Sequence, residues 1–353
     1  MIADSAAPSS PYLGDALPPQ AIDSAQQHVR DVLALAIEYT PAHAALIVAD
    51  QRSALALALT EAYRRCLPNA RFIDFDAVEP GHVMAAFAEL AAQDLVVLIQ
   101  STNFRLEAFR IRIELFKRDL KVIEHVHLSR MPGAEGLHYI AALAYDAAYY
   151  RVLGLALKAR IDRASSATLD SGGQLLEFSS PFEPAKLNTG DYRAMKNVGG
   201  QFPIGEVFTE ARDLEAVNGR VRFFVFGDTA FMVNRPPQPI TLVVERGRVT
   251  GVIDGSPEFL TLLATIRAHE GDVWLRELGF GMNRAFSQQR SVSDIGTYER
   301  MCGIHLSLGA KHGVYSKPNF KRKDARYHID VFAVTHAVYL DQQLIYRDGA
   351  WQA

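Results

Sequence analysis

Only two cysteines, Cys66 and Cys302, occur in 353 residues, and they lie far apart in sequence. That scarcity excludes a disulfide framework and argues against a thiolate metal cluster. Positive charge is also in short supply: 37 Lys and Arg stand against 40 Asp and Glu, a net charge of -3, so nucleic acid is not an expected partner. No stretch is apolar and long enough to span a bilayer, so no membrane partner is expected either. The opening MIADSAAPSSPYLGDALPPQ lacks the basic start and apolar stretch of a signal peptide. Residues 1–20 therefore read as a flexible lead-in, and the cytoplasm is the expected address. Internal repeats are absent, and no Gly-rich phosphate loop follows a predicted strand. What remains is an ordinary globular composition, 49% hydrophobic and 22% charged, on a chain whose length suits two domains.

From residue 21 to about 165, helix-like and strand-like stretches alternate. AIDSAQQHVRDVLALAIEY, SALALALTEAYRRCL, HVMAAFAELAAQ and LEAFRIRIELFKRDL repeat apolar residues at helical spacing, whereas AALIVAD, RFIDFDAV, DLVVLIQS and KVIEHVHLS read as buried strands. Alternation of this kind predicts an α/β N-terminal domain with a parallel sheet. A long Ala- and Leu-rich helix over roughly 137–163 leads out of it. Residues 166–353 read differently, with β-branched and aromatic runs such as RVRFFVFG and ITLVVERG split by Gly turns. VVERGRVTGVI suggests a hairpin, and SPEFLTLLATIRAHEG suggests a helix interrupting the strands. An α+β C-terminal catalytic domain on an antiparallel or mixed sheet follows.

Five of the eleven histidines fall in the last ninety residues. In the same half Glu206, Glu277 and Asp330 stand beside glycine or apolar residues, in PIGEVFT, LRELGFGMN and YHIDVFAV. Carboxylates in such surroundings need partners, because burying a lone charge costs several kcal/mol. His328 and Asp330, two apart on a predicted strand, point to one face. They suit either shared metal ions or a half-exposed ion pair.

GGQFPIGEVFTEARDLEAVNGRVRF, LRELGFGMN, CGIHLSLG and YHIDVF, taken in order, resemble the successive signature segments of the aminopeptidase T family of dimetal metallopeptidases. SATLDSGGQLLEFSS is similar to the strand and turn that open that family's catalytic half. The likeness covers about residues 165–340. It implies that Glu206, Glu277, His305, His328 and Asp330 hold two divalent ions of zinc, cobalt or manganese, which activate water to hydrolyse peptides at the N-terminus. It implies a homodimer as well. The family's tyrosine, expected to stabilise the oxyanion, is replaced here by His312, with Tyr315 the nearest tyrosine. His312 therefore reads either as its substitute, donating to the oxyanion or moving a proton, or as a surface-loop residue.

Two other classes stay open. The 2,5-dihydroxypyridine dioxygenases, which resemble this family, use one Fe(II) held by two histidines and one carboxylate, but have histidine where this chain has Glu277. A non-catalytic accessory protein of a biosynthetic pathway would keep the fold without turnover. A small-molecule substrate is thus an alternative to a peptide. His125 and His127 in EHVHLS form a rival metal motif or satisfied strand-end residues. Lys317, Lys321, Arg322, Lys323 and Arg326 form a basic loop before the HxD strand, either solvated or attractive to an acidic substrate. Trp274 and Arg284 read as pocket-lining or packing residues, and Cys302 as a small buried side chain rather than a nucleophile.

Overall fold

The computed structural model describes residues 16–106, 111–318, 320–321 and 323–352. Most of the expected lead-in, and Arg322 of the basic loop, lie outside them. The chain forms two compact units. The first comprises residues up to Tyr145 together with Tyr192–Pro203; the second comprises Asp146–Asp191 and Ile204 onward.

In the first unit, α1 (Pro19–Asp31) leads to β1 (Ala45–Ala49), α2 (Ala54–Cys66), β2 (Arg71–Asp74), α3 (Pro80–Ala88), β3 (Leu95–Ile99), α4 (Ile111–Lys117), β4 (Lys121–His125) and α5 (Ala134–Ala142). The strands pair in parallel in the order β2-β1-β3-β4, and the later strand Gly199–Gln201 adds to the free edge of β4. ALIVA and LVVLI are buried at every position, as strands covered on both faces require. Ser53 opens α2 by accepting the Ala56 N–H at 3.2 Å.

The predicted long helix over 137–163 is two helices. Residues 143–146 interrupt it, and α6 (Ala147–Ile161) starts afresh where Asp146 accepts the Tyr149 N–H at 3.0 Å. Helix α6 belongs to the second unit, so the division falls at 145/146 rather than near 165, and 192–203 returns to the first unit. Apolar periodicity runs through the break because both helices bury one face.

The second unit continues with β5 (Ala167–Asp170), β6 (Leu175–Phe178) and β7 (Lys186–Asn188). Counting Gly199–Gln201 as β8, there follow β9 (Glu206–Glu210), β10 (Val217–Gly227), β11 (Val233–Asn234), β12 (Ile240–Glu245), β13 (Arg248–Ile253), α7 (Pro257–Glu270) and β14 (Leu275–Gly281). The chain then forms α8 (Ile295–Tyr298), β15 (Gly303–Leu308), β16 (Ile329–Ala333), β17 (Ala337–Leu340), β18 (Gln343–Arg347) and β19 (Ala350–Trp351). One large antiparallel sheet runs β19-β18-β17-β5-β6-β10-β16-β15-β14-β9-β7, with the expected β12–β13 hairpin paired to β10. Its turn, Arg246–Gly247, has positive φ at both residues, 51° and 71°, the geometry that suits strand twist. The architecture is thus an α/β unit with a parallel sheet and an α+β unit with an antiparallel one.

Candidate metal centre

Four neighbouring strands of the second unit, β9, β14, β15 and β16, are almost entirely buried, yet carry Glu206, Glu277, His305 and Asp330. Antiparallel pairing sets Gly281 opposite Glu206, Gly279 opposite His305, and Ser307 opposite Asp330. Register alone therefore converges residues separated by more than a hundred positions. Gly279 is required for this: a Cβ there would lie 2.0 Å from the His305 ring. The backbone N–H of Glu277 donates to Ser307 Oγ at 3.0 Å, which fixes the strand beneath its carboxylate.

The ligand-type atoms fall into two groups that share one residue. Glu206, Glu277 and His305 bring donor atoms within 4.8 Å of one another, and so do Glu277, His328 and Asp330. His305 Nε2 lies 3.2 Å from Glu206 Oε1 and 3.3 Å from Glu277 Oε1. His328 Nε2 lies 3.2 Å from Asp330 Oδ1, but off the line of a well-formed hydrogen bond, leaving that buried oxygen without a hydrogen-bond partner. His328 Nδ1 faces the Lys311 carbonyl at 3.1 Å. A proton on Nδ1 satisfies that carbonyl and turns Nε2 toward the carboxylates, the orientation of histidines that bind metal.

Electrostatics reinforce the geometry. Burial acts to lower the His305 pKa, but the hydrogen bonds and charges of Glu206 and Glu277 outweigh it and raise it well above the usual value. His328 behaves alike: burial opposes charge, yet Asp330, Glu277 and Glu299 push its pKa up to about 10. For Glu277 burial acts upward, and the surrounding histidines His305, His312 and His328 overcome it and hold the carboxyl well below its usual range. The cluster is therefore a set of mutually dependent carboxylates and imidazoles, each held charged by the others. Oxygen and imidazole donors, buried and partly unsatisfied, are of the kinds that could hold a divalent metal ion.

His312 joins the cluster rather than standing on the surface. Its Nδ1 accepts the N–H groups of Val314 (3.2 Å) and Tyr315 (3.4 Å), which leaves the proton of the neutral ring on Nε2. That Nε2 sits 2.9 Å from Glu277 Oε2, off the ideal hydrogen-bond line. Tyr315 is committed elsewhere, its hydroxyl donating to the Pro184 carbonyl at 2.8 Å.

Several contributors were not anticipated. Arg300, nearly buried, reaches Glu206 Oε2 at 3.5 Å and pairs closely with Glu299. Burial, with the like charges of Asp330 and Glu206, pushes the Glu299 carboxyl up to about 8 despite Arg300. Arg276 binds Glu210 through two bonds of 2.9 Å and donates to the Ala310 and Tyr315 carbonyls at 2.5 and 3.1 Å, clamping the loop that carries His312. The charged pair six and five residues before His305, and the arginine beside Glu277, were visible as charges among apolar neighbours; nothing in the spacing gave them partners.

Other sequence features resolve as packing. His125 has both ring nitrogens engaged, by Tyr63 and Tyr139 hydroxyls at 2.9 and 2.8 Å, so EHVHLS is no metal site; His127 lies past the strand end with φ 55°. Lys317 is tied to Glu183 and to the Ala211 and Arg212 carbonyls. Trp274 lies under the Arg248 guanidinium at 3.9 Å, and Arg284 covers the Tyr149 ring at 4.0 Å. Burial pushes the Cys302 thiol up to about 11, which keeps it protonated near neutral pH.

No family model and no curated protein matches the chain. Among solved structures, wild-type AmpT from Thermus thermophilus superposes with a TM-score of 0.56 over 94% of this chain and 99% of its own, at 14% identity. The chain shares the fold of AmpT. At that identity the likeness speaks for the fold alone, and the donor cluster above carries the chemistry. No single helix among the described residues is long and apolar enough to cross a membrane.

Proposed function

We infer that the chain is a metal-dependent hydrolase of the aminopeptidase kind, acting on the N-terminal end of a peptide. The observation that carries this reading is the pair of donor groups sharing Glu277, with Glu206 and His305 on one side and His328 and Asp330 on the other. The fold in common with AmpT supports it. Glu206, Glu277, His305, His328 and Asp330 would hold the metal, with Glu277 common to both donor groups. When bound, such ions lower the pKa of a water molecule and polarise a carbonyl.

The remaining residues have separate tasks. His328 is held by the Lys311 carbonyl at Nδ1, so its Nε2 would serve as a ligand once a metal ion displaced its proton, and Arg300 balances the charge of Glu206. The Nε2–H of His312 is a donor at the edge of the cluster, suited to an oxyanion as the family's tyrosine would be. Glu299 pairs with Arg300, and burial beside the charges of Asp330 and Glu206 raises its pKa.

Elemental analysis of protein purified under nitrogen without added metal tests the reading. Two atoms of zinc, cobalt or manganese per chain, with turnover of unblocked peptides that chelation abolishes, are expected. One iron atom per chain and oxygen consumption with a hydroxylated aromatic ring would replace the hydrolase with a dioxygenase. His312→Ala should keep both ions while lowering kcat by roughly 10²-fold or more. Loss of an ion in that variant would make His312 a ligand instead.

A further inference from the structure

Glu206, Glu277, His305 and Asp330 stand on strands, and sheet register places them. His312 and His328 have no such support. Both belong to the connection 309–328 between β15 and β16, near its two ends. Its described residues form neither helix nor strand, so the two imidazoles are placed by whatever holds the neck of this loop.

The neck is held by one side chain, Glu270, the last residue of α7. Its Oε2 accepts the Ala310 N–H at 2.8 Å, and its Oε1 accepts the Arg326 and Tyr327 N–H groups at 2.6 and 2.8 Å. One carboxylate therefore grips both stems, two residues before His312 and one residue before His328. The stems also bond each other, the Lys311 N–H donating to the Tyr327 carbonyl at 3.0 Å, while the Lys311 carbonyl faces His328 Nδ1 at 3.1 Å. Beyond this neck the two rings meet edge to face, their centroids 5.7 Å apart, and His312 Nε2 comes to 2.9 Å from Glu277.

The carboxylate stands where its own helix disfavours it. The C-terminal turn of a helix is the negative end of its dipole, so an acid there is repelled. Helix α7 has its own termini without it, Ser256 accepting the Phe259 N–H at one end and Gly271 turning away with φ 82° at the other. Three donated N–H groups offset the repulsion, and all three come from the loop neck.

We propose that Glu270 is a positioning residue that sets His312 and His328 together, Oε2 fixing the His312 stem and Oε1 the His328 stem. The proposal rests on the hydrolase reading for the tasks of the two histidines, not for their placement.

Two variants of the full chain separate the stems. In Glu270→Gln the single accepting oxygen serves the two donors of Arg326 and Tyr327, which turns the amide NH2 against the Ala310 N–H. Glu270→Ala releases both stems. Imidazole proton–nitrogen NMR spectra of metal-free, histidine-labelled protein read the outcome without metal or substrate. Glu270→Gln should move the His312 signals and leave His328 and His305 in place. Glu270→Ala should move His312 and His328, while His305 stays with its strand. Zinc affinity should be unchanged in Glu270→Gln and roughly 10–100-fold weaker in Glu270→Ala, the usual effect of losing a group that orients a ligand. In the zinc-loaded Glu270→Gln protein kcat should fall roughly tenfold or more at unchanged KM. Unmoved His312 and His328 signals in Glu270→Ala would overturn the proposal. So would His305 moving as far as they do, because the change would then be one of the whole sheet. If Glu270→Gln moved His328 instead of His312, or neither, the division between the two oxygens would be wrong. A wild-type chain that bound no zinc would sink the hydrolase reading, and the metal-free spectra would still decide the placement.

Discussion

The buried imidazole of His125 ties the stability of the first unit to pH, and its surroundings set the size of the effect. Tyr139 donates to the Phe202 carbonyl at 2.9 Å, so toward Nδ1 its oxygen is the acceptor, while Nε2 faces the Tyr63 hydroxyl. A neutral ring satisfies this chain of bonds, and burial pushes the pKa down to about 3. The unfolded chain protonates this histidine near pH 6.5. Between those two values the unfolded state binds the extra proton, so stability rises with pH across the window. The contribution is complete above about 6.5 and is lost as pH falls toward 3. From pH 7.5 to 5.0 the loss from this one group is about 2 kcal/mol. Tryptophan fluorescence would report the wrong half of the molecule, because Trp274 and Trp351 both lie in the second unit. Hydrogen exchange of peptides spanning β4, corrected for intrinsic rates, reads the correct one. His125→Phe should be less stable at pH 7.5 by about 1–3 kcal/mol, since two tyrosine hydroxyls lose a partner, but should lack this increment of acid sensitivity. If wild type and variant lost protection in parallel between pH 7.5 and 5.0, the neutral buried imidazole would be the wrong account.

Arg276→Leu should destabilise the second unit by about 3–5 kcal/mol, because Glu210 would be buried without its partner, and urea denaturation followed by tryptophan fluorescence measures it. The double change with Glu210→Leu should recover much of that loss, while kcat stays low because the His312 loop has lost its clamp. Gly279→Ala should lower bound metal at an unchanged circular dichroism spectrum, since a methyl group there competes with the His305 ring; full metal content would show that the strand yields instead. Alkylation of Cys302 by iodoacetamide should be slow in the folded protein near pH 7.5 and should accelerate only as pH approaches about 11, where the thiolate forms.

The fold was legible where burial is simple. ALIVA and LVVLI read as parallel strands because an apolar run of five has few other stable homes, and Gly247 marked the β12–β13 turn by its left-handed φ. The break at 143–146 was not legible, because the apolar stripe crosses it and the capping role of Asp146 depends on where the next turn begins. For the candidate site, His328 and Asp330 signalled a shared face through spacing alone, whereas Glu206, Glu277 and His305 lie on three separate strands and meet only through register. Their grouping was available from the resemblance to known signature segments and not from periodicity. Arg276, Glu299 and Arg300 act through contacts that no local pattern encodes. Tyr63 and Tyr139, which decide what His125 can do, lie 62 and 14 positions away in sequence, beyond the reach of any local pattern.

The chain visits the first unit twice, and the second visit supplies the strand Gly199–Gln201 beside β4. A ribosome therefore releases β5, β6 and β7 before the first sheet has its last member. Until then the outer edge of β4 presents open hydrogen-bonding groups, a template for other chains. Folding cannot simply proceed from one end to the other, and a gene cut at residue 145 would yield a sheet with an adhesive margin. The same thread makes the halves hard to trade between proteins: no single crossover point would carry either one away whole.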